Sequence, residues 1–164
     1  MGWRGDEAVH RTAVLKLLED VKKRGTAVDA LGVESHLSSK YSDSPTGLGA
    51  VDERAWRDLL ETVTGMGLDL LVIELDVHGN PLRTSIDRRD AEVAAHSRAY
   101  QYLMLSYPQT SIVMCWGLSE RYSWLSGFRP RADGLPKWPC PFDAEFRLKP
   151  MRDPITAAFA SARA

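Results

Sequence analysis

The run Leu68-Asp-Leu-Leu-Val-Ile-Glu-Leu-Asp-Val77 constrains this chain more than any other segment. Seven of its ten positions are apolar, as in a strand covered on both faces, and such strands belong to parallel sheets whose crossovers are helices. The flanking sequence supplies those crossovers. Residues from about Asp6 to Lys23 place Val9, Ala13, Leu17, Leu18 and Val21 on one helical face, with Lys22, Lys23 and Arg24 near the end and Gly25 as a stop. Ala30 to Leu37 reads as a short strand, and a loop rich in Ser, Asp, Pro and Gly follows from Ser38 to Gly49. Asp52 reads as the N-cap of a helix to about Met66 that buries Trp56, Leu59, Leu60 and Val63, with Gly65 and Gly67 ending it. A turn around Gly79-Asn80-Pro81 leads to a long helix from about Arg88 to Tyr107, and Ser111 to Trp116 forms a third strand. Residues 117–148 carry Gly, Pro and aromatics with little periodicity, a length of irregular chain that is uncommon unless functional. Pro154 suits the first turn of a last helix, Ile155 to Ala162.

The reading is therefore α-β-α-β-α-β-α. Three parallel strands cannot close into a barrel, and an eight-stranded barrel of this kind typically takes about 250 residues, so the pattern looks like the closing part of a larger fold. At 164 residues the chain is the size of one domain. Its 21 basic and 22 acidic side chains nearly cancel, which leaves no basic footprint for a nucleic-acid backbone or an anionic membrane. No apolar run approaches the roughly 18 residues of a membrane span, and the polar start Met-Gly-Trp-Arg-Gly-Asp-Glu shows no secretory signal. Cys115 and Cys140 are too few for a disulfide scaffold and match no zinc spacing; they are either one bridge or two free thiols.

The strand ends carry the chemistry. Read with period two, Glu34 and His36 share one face of the first strand, and Glu74, Asp76 and His78 share one face of the second or lie just past its end. Ser35, Leu37, Ile73 and Leu75 then point toward the helices. Adjacent strands lie roughly 4.8 Å apart, so these ionisable groups form one patch. Stability alone would place Val or Ile there, because carboxylates are costly to bury without partners. Trp116 and Trp124 lie close by in sequence, and aromatic faces beside an acidic patch suit a sugar ring. His36, Glu74, Asp76 and His78 also have the ligand types of a metal site. His96 with Glu92 is read as a solvated helix face; His10 and His78 carry no assigned role.

Three segments in order, Leu31-Gly-Val-Glu-Ser-His-Leu37, Val72-Ile-Glu-Leu-Asp-Val77 and Met114-Cys-Trp-Gly-Leu-Ser-Glu-Arg-Tyr-Ser-Trp124, resemble the carboxy-terminal part of the family 10 glycoside hydrolases, the endo-β-1,4-xylanases. A fourth, Pro141-Phe-Asp-Ala-Glu-Phe-Arg-Leu-Lys-Pro150, resembles the family's approach to its last helix. The resemblance implies an α/β fold, a partial TIM (β/α)8 barrel made of about the last three β/α units preceded by one helix, with residues 1–164 forming the C-terminal portion of the catalytic domain. It implies retaining hydrolysis of xylan, with Glu74 as nucleophile, His36 orienting it and Asp76 holding the histidine, a relay that needs neither metal nor cofactor. Glu34, Trp116 and Trp124 fall at substrate-binding positions. Implied partners are xylan or xylo-oligosaccharide and a complementing N-terminal half-barrel or self-association, with no nucleic acid and no membrane; the family is commonly secreted or periplasmic.

Departures from the family pattern set further expectations. Glu34 stands where the family usually has Gln, and a second carboxylate beside Glu74 tends to raise the pKa of one of the pair. Ile73 replaces Thr or Ser and is expected to face the helices, where an apolar side chain does no harm. The Asn-Glu pair that supplies the family's proton donor has no match here, so the isolated chain is expected to hydrolyse xylan poorly or not at all. Two other readings stand beside this one. The chain is a non-catalytic or decayed sugar-binding module, or it is a truncated reading frame whose exposed edges and apolar faces leave it loosely folded.

Overall fold

The computed structural model describes residues 7–38, 52–79, 85–128 and 130–162. The loop expected over 39–49 and the Asn80-Pro81 part of the turn lie outside these. Helix α1 (Glu7–Lys23) leads into strand β1 (Ala30–Ser38), α2 (Glu53–Gly65), β2 (Asp69–His78), α3 (Ile86–Leu105) and β3 (Thr110–Cys115). The strands form one parallel sheet in the order β1-β2-β3. After β3 come a 3-10 turn (Glu120–Tyr122), a short helix α4 (Trp124–Phe128) and α5 (Arg152–Ala162). The expected alternation is therefore present, and α4 is an element that the weak periodicity of residues 117–148 concealed.

Local chemistry explains the boundaries. The Asp52 carboxylate accepts from the Ala55 N–H at 3.1 Å, and Ser85 caps α3 through the Arg88 N–H. Helix α2 buries Trp56, Leu59, Leu60 and Val63, as its spacing predicts. Helix α1 departs from expectation. Val9 and Leu17 are 72% and 62% exposed, while Leu18 is buried and Val14 and Leu15 pack against the core. The stripe at Val14, Leu15 and Leu18 is the one turned inward, and the apolar residues at 9, 13 and 17 sit about a quarter-turn or more away. His96 is also buried in α3 rather than solvated.

The core lies between the sheet and its helices. Leu70, Val72, Leu75 and Val77 of β2 enter it from one face, joined by Leu37 of β1 and by Val93, Tyr100 and Met104 of α3. Ser35 Oγ and Tyr100 Oη lie 2.8 Å apart and fasten α3 to β1, and burial pushes the Tyr100 phenol up to about 12. The opposite face of the sheet is open: Ile112, Met114 and Trp116 are each more than two-fifths exposed.

The segment after β3 is held by a buried cation. Lys149 Nζ reaches Glu120 Oε1 at 2.6 Å, Asp90 Oδ1 at 3.1 Å and the Trp138 carbonyl at 3.1 Å, while Glu120 Oε1 also accepts from the Cys140 N–H at 2.9 Å. Burial raises the Glu120 pKa, opposed by the Lys149 charge and bond. Cys115 and Cys140 are free thiols rather than a bridge, and burial pushes the Cys140 thiol up to about 12.

Replacing Lys149 with Met leaves two carboxylates without their shared cation. The expected loss is about 3–5 kcal/mol of unfolding free energy in urea. A loss below about 1 kcal/mol, the worth of an exposed pair, contradicts the anchoring role.

Candidate active site

The site is built where β1 and β2 end. Register runs Glu34 opposite Ile73 and then His36 opposite Asp76, so β2 spends one residue more than β1 over this step. The same extra residue appears against β3, between the pairs Val72–Val113 and Leu75–Cys115. It is a β-bulge centred on Glu74, whose φ of 57° lies in the left-handed region. A non-glycine residue there is strained, and such strain collects at functional positions.

The bulge corrects the strict period-two reading. Leu75 faces the core, as expected, and Val77 with it, but so do Leu70 and Val72, so the phase changes at Glu74. Ile73 does not face the helices. A Cβ added to Gly32, on the Glu34 and His36 face, would come within 3.2 Å of Ile73 Cδ1, so Ile73 shares the site's face. Its apolar side chain borders the site instead of filling the core.

Three side chains form a line. His36 Nε2 lies 3.2 Å from Glu74 Oε2, and Nδ1 lies 3.0 Å from Asp76 Oδ1. One imidazole thus bridges an accessible carboxylate and a buried one. Asp76 is 1% exposed, and its second oxygen accepts from Trp124 Nε1–H at 2.8 Å. Burial raises the Asp76 pKa; the bonds from Trp124 and His36 and the His36 charge oppose this, and the Glu74 charge adds to it. Chemically, the arrangement points one carboxylate at solvent and fixes it from behind.

The remaining expected residues fall around this line. Glu34 is exposed, and one carboxylate oxygen from it, one from Glu74 and a ring nitrogen of His36 lie within 4.8 Å of one another. Among the described residues these three are the side chains that could hold a divalent ion, not the set with Asp76 and His78, since Asp76 stands behind the imidazole. His78 Nε2 is 4.0 Å from Asp76 Oδ1. Trp116 is 43% exposed, and its backbone N–H donates to the Leu75 carbonyl at 2.9 Å, which places it beside the bulge. Trp124 packs its ring against His36 at 5.1 Å and Phe128 at 4.9 Å between centroids. Its bond to Asp76 had no signal in the sequence, because residues 48 apart are joined only through the path of the 117–148 segment.

The model of glycosyl hydrolase family 10 matches residues 3–158. The chain is 26% identical over 151 residues to endo-1,4-beta-xylanase 2 of Aureobasidium pullulans, covering 90% of this chain and 39% of that protein. It is 30% identical over 152 residues to endo-1,4-beta-xylanase A of Halalkalibacterium halodurans, covering 85% of this chain and 36% of that protein. Its fold is similar to that of xylanase 10B from Thermotoga petrophila, solved in complex with xylobiose, with a TM-score of 0.73, 24% identity, and coverage of 90% of this chain and 41% of that one. The chain thus spans about two-fifths of the length of the proteins it matches, and its alternating helices and parallel strands are part of a TIM barrel.

Two measurements check the site's energetics. Glycine tolerates a left-handed φ that alanine does not, so Glu74→Gly is expected to be more stable than Glu74→Ala by about 1 kcal/mol. Equal or reversed stability in urea denies the strain. The raised Asp76 value means that the folded chain holds this proton more tightly than the unfolded chain. Stability from this group is full below the ordinary aspartate value and is lost as pH rises through the raised one. The stability difference between wild type and Asp76→Asn is therefore expected to fall across that window, and a flat difference contradicts the burial argument.

Proposed function

The chain belongs to glycosyl hydrolase family 10, and from that premise we propose that it supplies the nucleophile side of a retaining endo-1,4-β-xylanase site. The observation that carries the reading is the line from Glu74 through His36 to Asp76, with bonds of 3.2 and 3.0 Å. Glu74 Oε attacks the anomeric carbon as the bond to the leaving oxygen breaks, and that oxygen takes the electron pair and a proton from an acid. Water then attacks the glycosyl ester, gives up a proton to the conjugate base and releases Glu74, with configuration retained overall. His36 and Asp76 hold the attacking oxygen in place. Glu34, Trp116 and Trp124 border the sugar, with Trp116 offering the exposed aromatic face.

The substrate class is β-1,4-linked xylan, supported by the xylanases that the chain matches and by the xylobiose held by the Thermotoga petrophila protein. The acid is assigned to a second polypeptide segment. Glu34 is on the strand next to Glu74 and not across a glycosidic bond from it, whereas retaining pairs stand about 5–5.5 Å apart on either side of that bond. The reading gives this chain the C-terminal portion of a barrel, residues 1–164, completed by an N-terminal half-barrel or by self-association. The open face at Ile112 and Met114 and the outer edges of β1 and β3 favour such pairing.

A second reading, binding of xylo-oligosaccharide without hydrolysis, is favoured by the exposure of Trp116. Mixing this chain with a separately made polypeptide carrying the earlier β/α units, including an Asn-Glu strand end, decides between them. The enzyme reading expects release of reducing sugar from xylan that Glu74→Gln abolishes; no release at any ratio rejects it. Quenching of tryptophan fluorescence by xylo-oligosaccharide, lost in Trp116→Ala, with no hydrolysis in any mixture, is the outcome expected of a binding module.

A further inference from the structure

Among the described residues, each oxygen of the Asp76 carboxylate meets a side-chain nitrogen. Oδ1 lies 3.0 Å from His36 Nδ1, and Oδ2 accepts from Trp124 Nε1–H at 2.8 Å. With 1% of its surface exposed, Asp76 is shielded from bulk water, so losing either partner is costly. The carboxylate plane is therefore set from both sides, and its tilt fixes which way the imidazole ring points. The indole also packs against that ring, 5.1 Å between centroids at 56°. Trp124 thus touches two members of the line, Asp76 and His36.

Trp124 is itself held from far away. It opens α4 directly after the 3-10 turn, whose residue Glu120 is pinned by Lys149 and by the Cys140 N–H. Ser119 Oγ donates to the Asp143 carbonyl at 2.7 Å, and Phe128 backs the indole at 4.9 Å. A side chain this constrained is suited to positioning others.

We infer that Trp124 is a positioning residue: through its indole N–H it orients Asp76, and through Asp76 it orients His36 against Glu74, in addition to bordering the sugar. The role rests on the proposed function, in which His36 aims the nucleophile. It makes the irregular 117–148 segment part of the nucleophile's support rather than only a wall of the sugar site.

The test reads the contacts directly in the full chain and needs no substrate. Trp124→Phe keeps an aromatic ring and deletes the N–H. Loss of a bond to a buried carboxylate is expected to move the Asp76 13Cγ titration midpoint upward by about one pH unit. The His36 ring 15N signals, identified by their loss in His36→Gln, are expected to move with it, while the Asp143 13Cγ midpoint stays in place. An unchanged Asp76 midpoint and unchanged His36 signals in a folded Trp124→Phe chain overturn the inference. If that variant does not fold, the wild-type chain answers: the Trp124 indole proton signal follows the Asp76 titration if the bond orients Asp76, and a signal that stays fixed through it overturns the inference. Failure to hydrolyse xylan in the mixing experiment leaves these signals as they are, so the two ideas fail separately.

Discussion

Everything at this site depends on one imidazole with a carboxylate on each side. His36 meets Asp76 through Nδ1 and Glu74 through Nε2. The two carboxylates are not equivalent. Asp76 is buried and held at both oxygens, which fixes it, while Glu74 sits on a bulge with its side chain 24% exposed. An acid free to turn would face solvent in many orientations; an acid held by a ring, which is held by a second acid, faces it in few. That reduction in freedom is what a nucleophile requires, because misplacement by even about 1 Å is costly in rate.

The backbone contributes as much as the side chains. The extra residue in β2 lets Leu75 and Val77 stay in the core while Asp76 turns to the site, and it leaves Glu74 at a φ of 57° between them. Core packing on both sides of the bulge keeps that conformation in place, since Leu70, Val72, Leu75 and Val77 are all buried. The strain sits at the residue that must protrude. The support behind it extends through Trp124 to the Glu120–Lys149 pair, so the segment after β3 and Glu74 share one scaffold.

Much of this was legible in the chain. The apolar run of β2, the Asp52 cap and the stripe at Trp56, Leu59, Leu60 and Val63 gave the alternation of helices and strands through periodicity and capping alone. Glu74, His36 and Asp76 stood out because carboxylates at a buried strand end need a reason. The bulge was not legible, because a strict alternation of in and out carries no mark for an inserted residue; Ile73 was assigned to the wrong face for that reason. In α1 Leu18 was legible, but its inward neighbours Val14 and Leu15 were not, because apolar residues at 9, 13 and 17 competed with them and hydrophobicity does not say which stripe is buried. The bond from Trp124 to Asp76 depends on how the chain turns back after β3 through a stretch of weak periodicity, and no local rule predicts where such a path returns.

The claim that Glu74 is a poised nucleophile can be tested without the acid that the rest of a barrel would supply. A 2-deoxy-2-fluoro-xylobioside with a dinitrophenolate leaving group departs unprotonated, and the fluorine slows hydrolysis of the ester it forms. Incubating the chain with it and weighing the intact protein and its peptides by mass spectrometry reads the attack directly. The account predicts one added glycosyl group, on Glu74, absent in Glu74→Gln and slower in His36→Gln. An unmodified chain, or a label on another carboxylate, contradicts it.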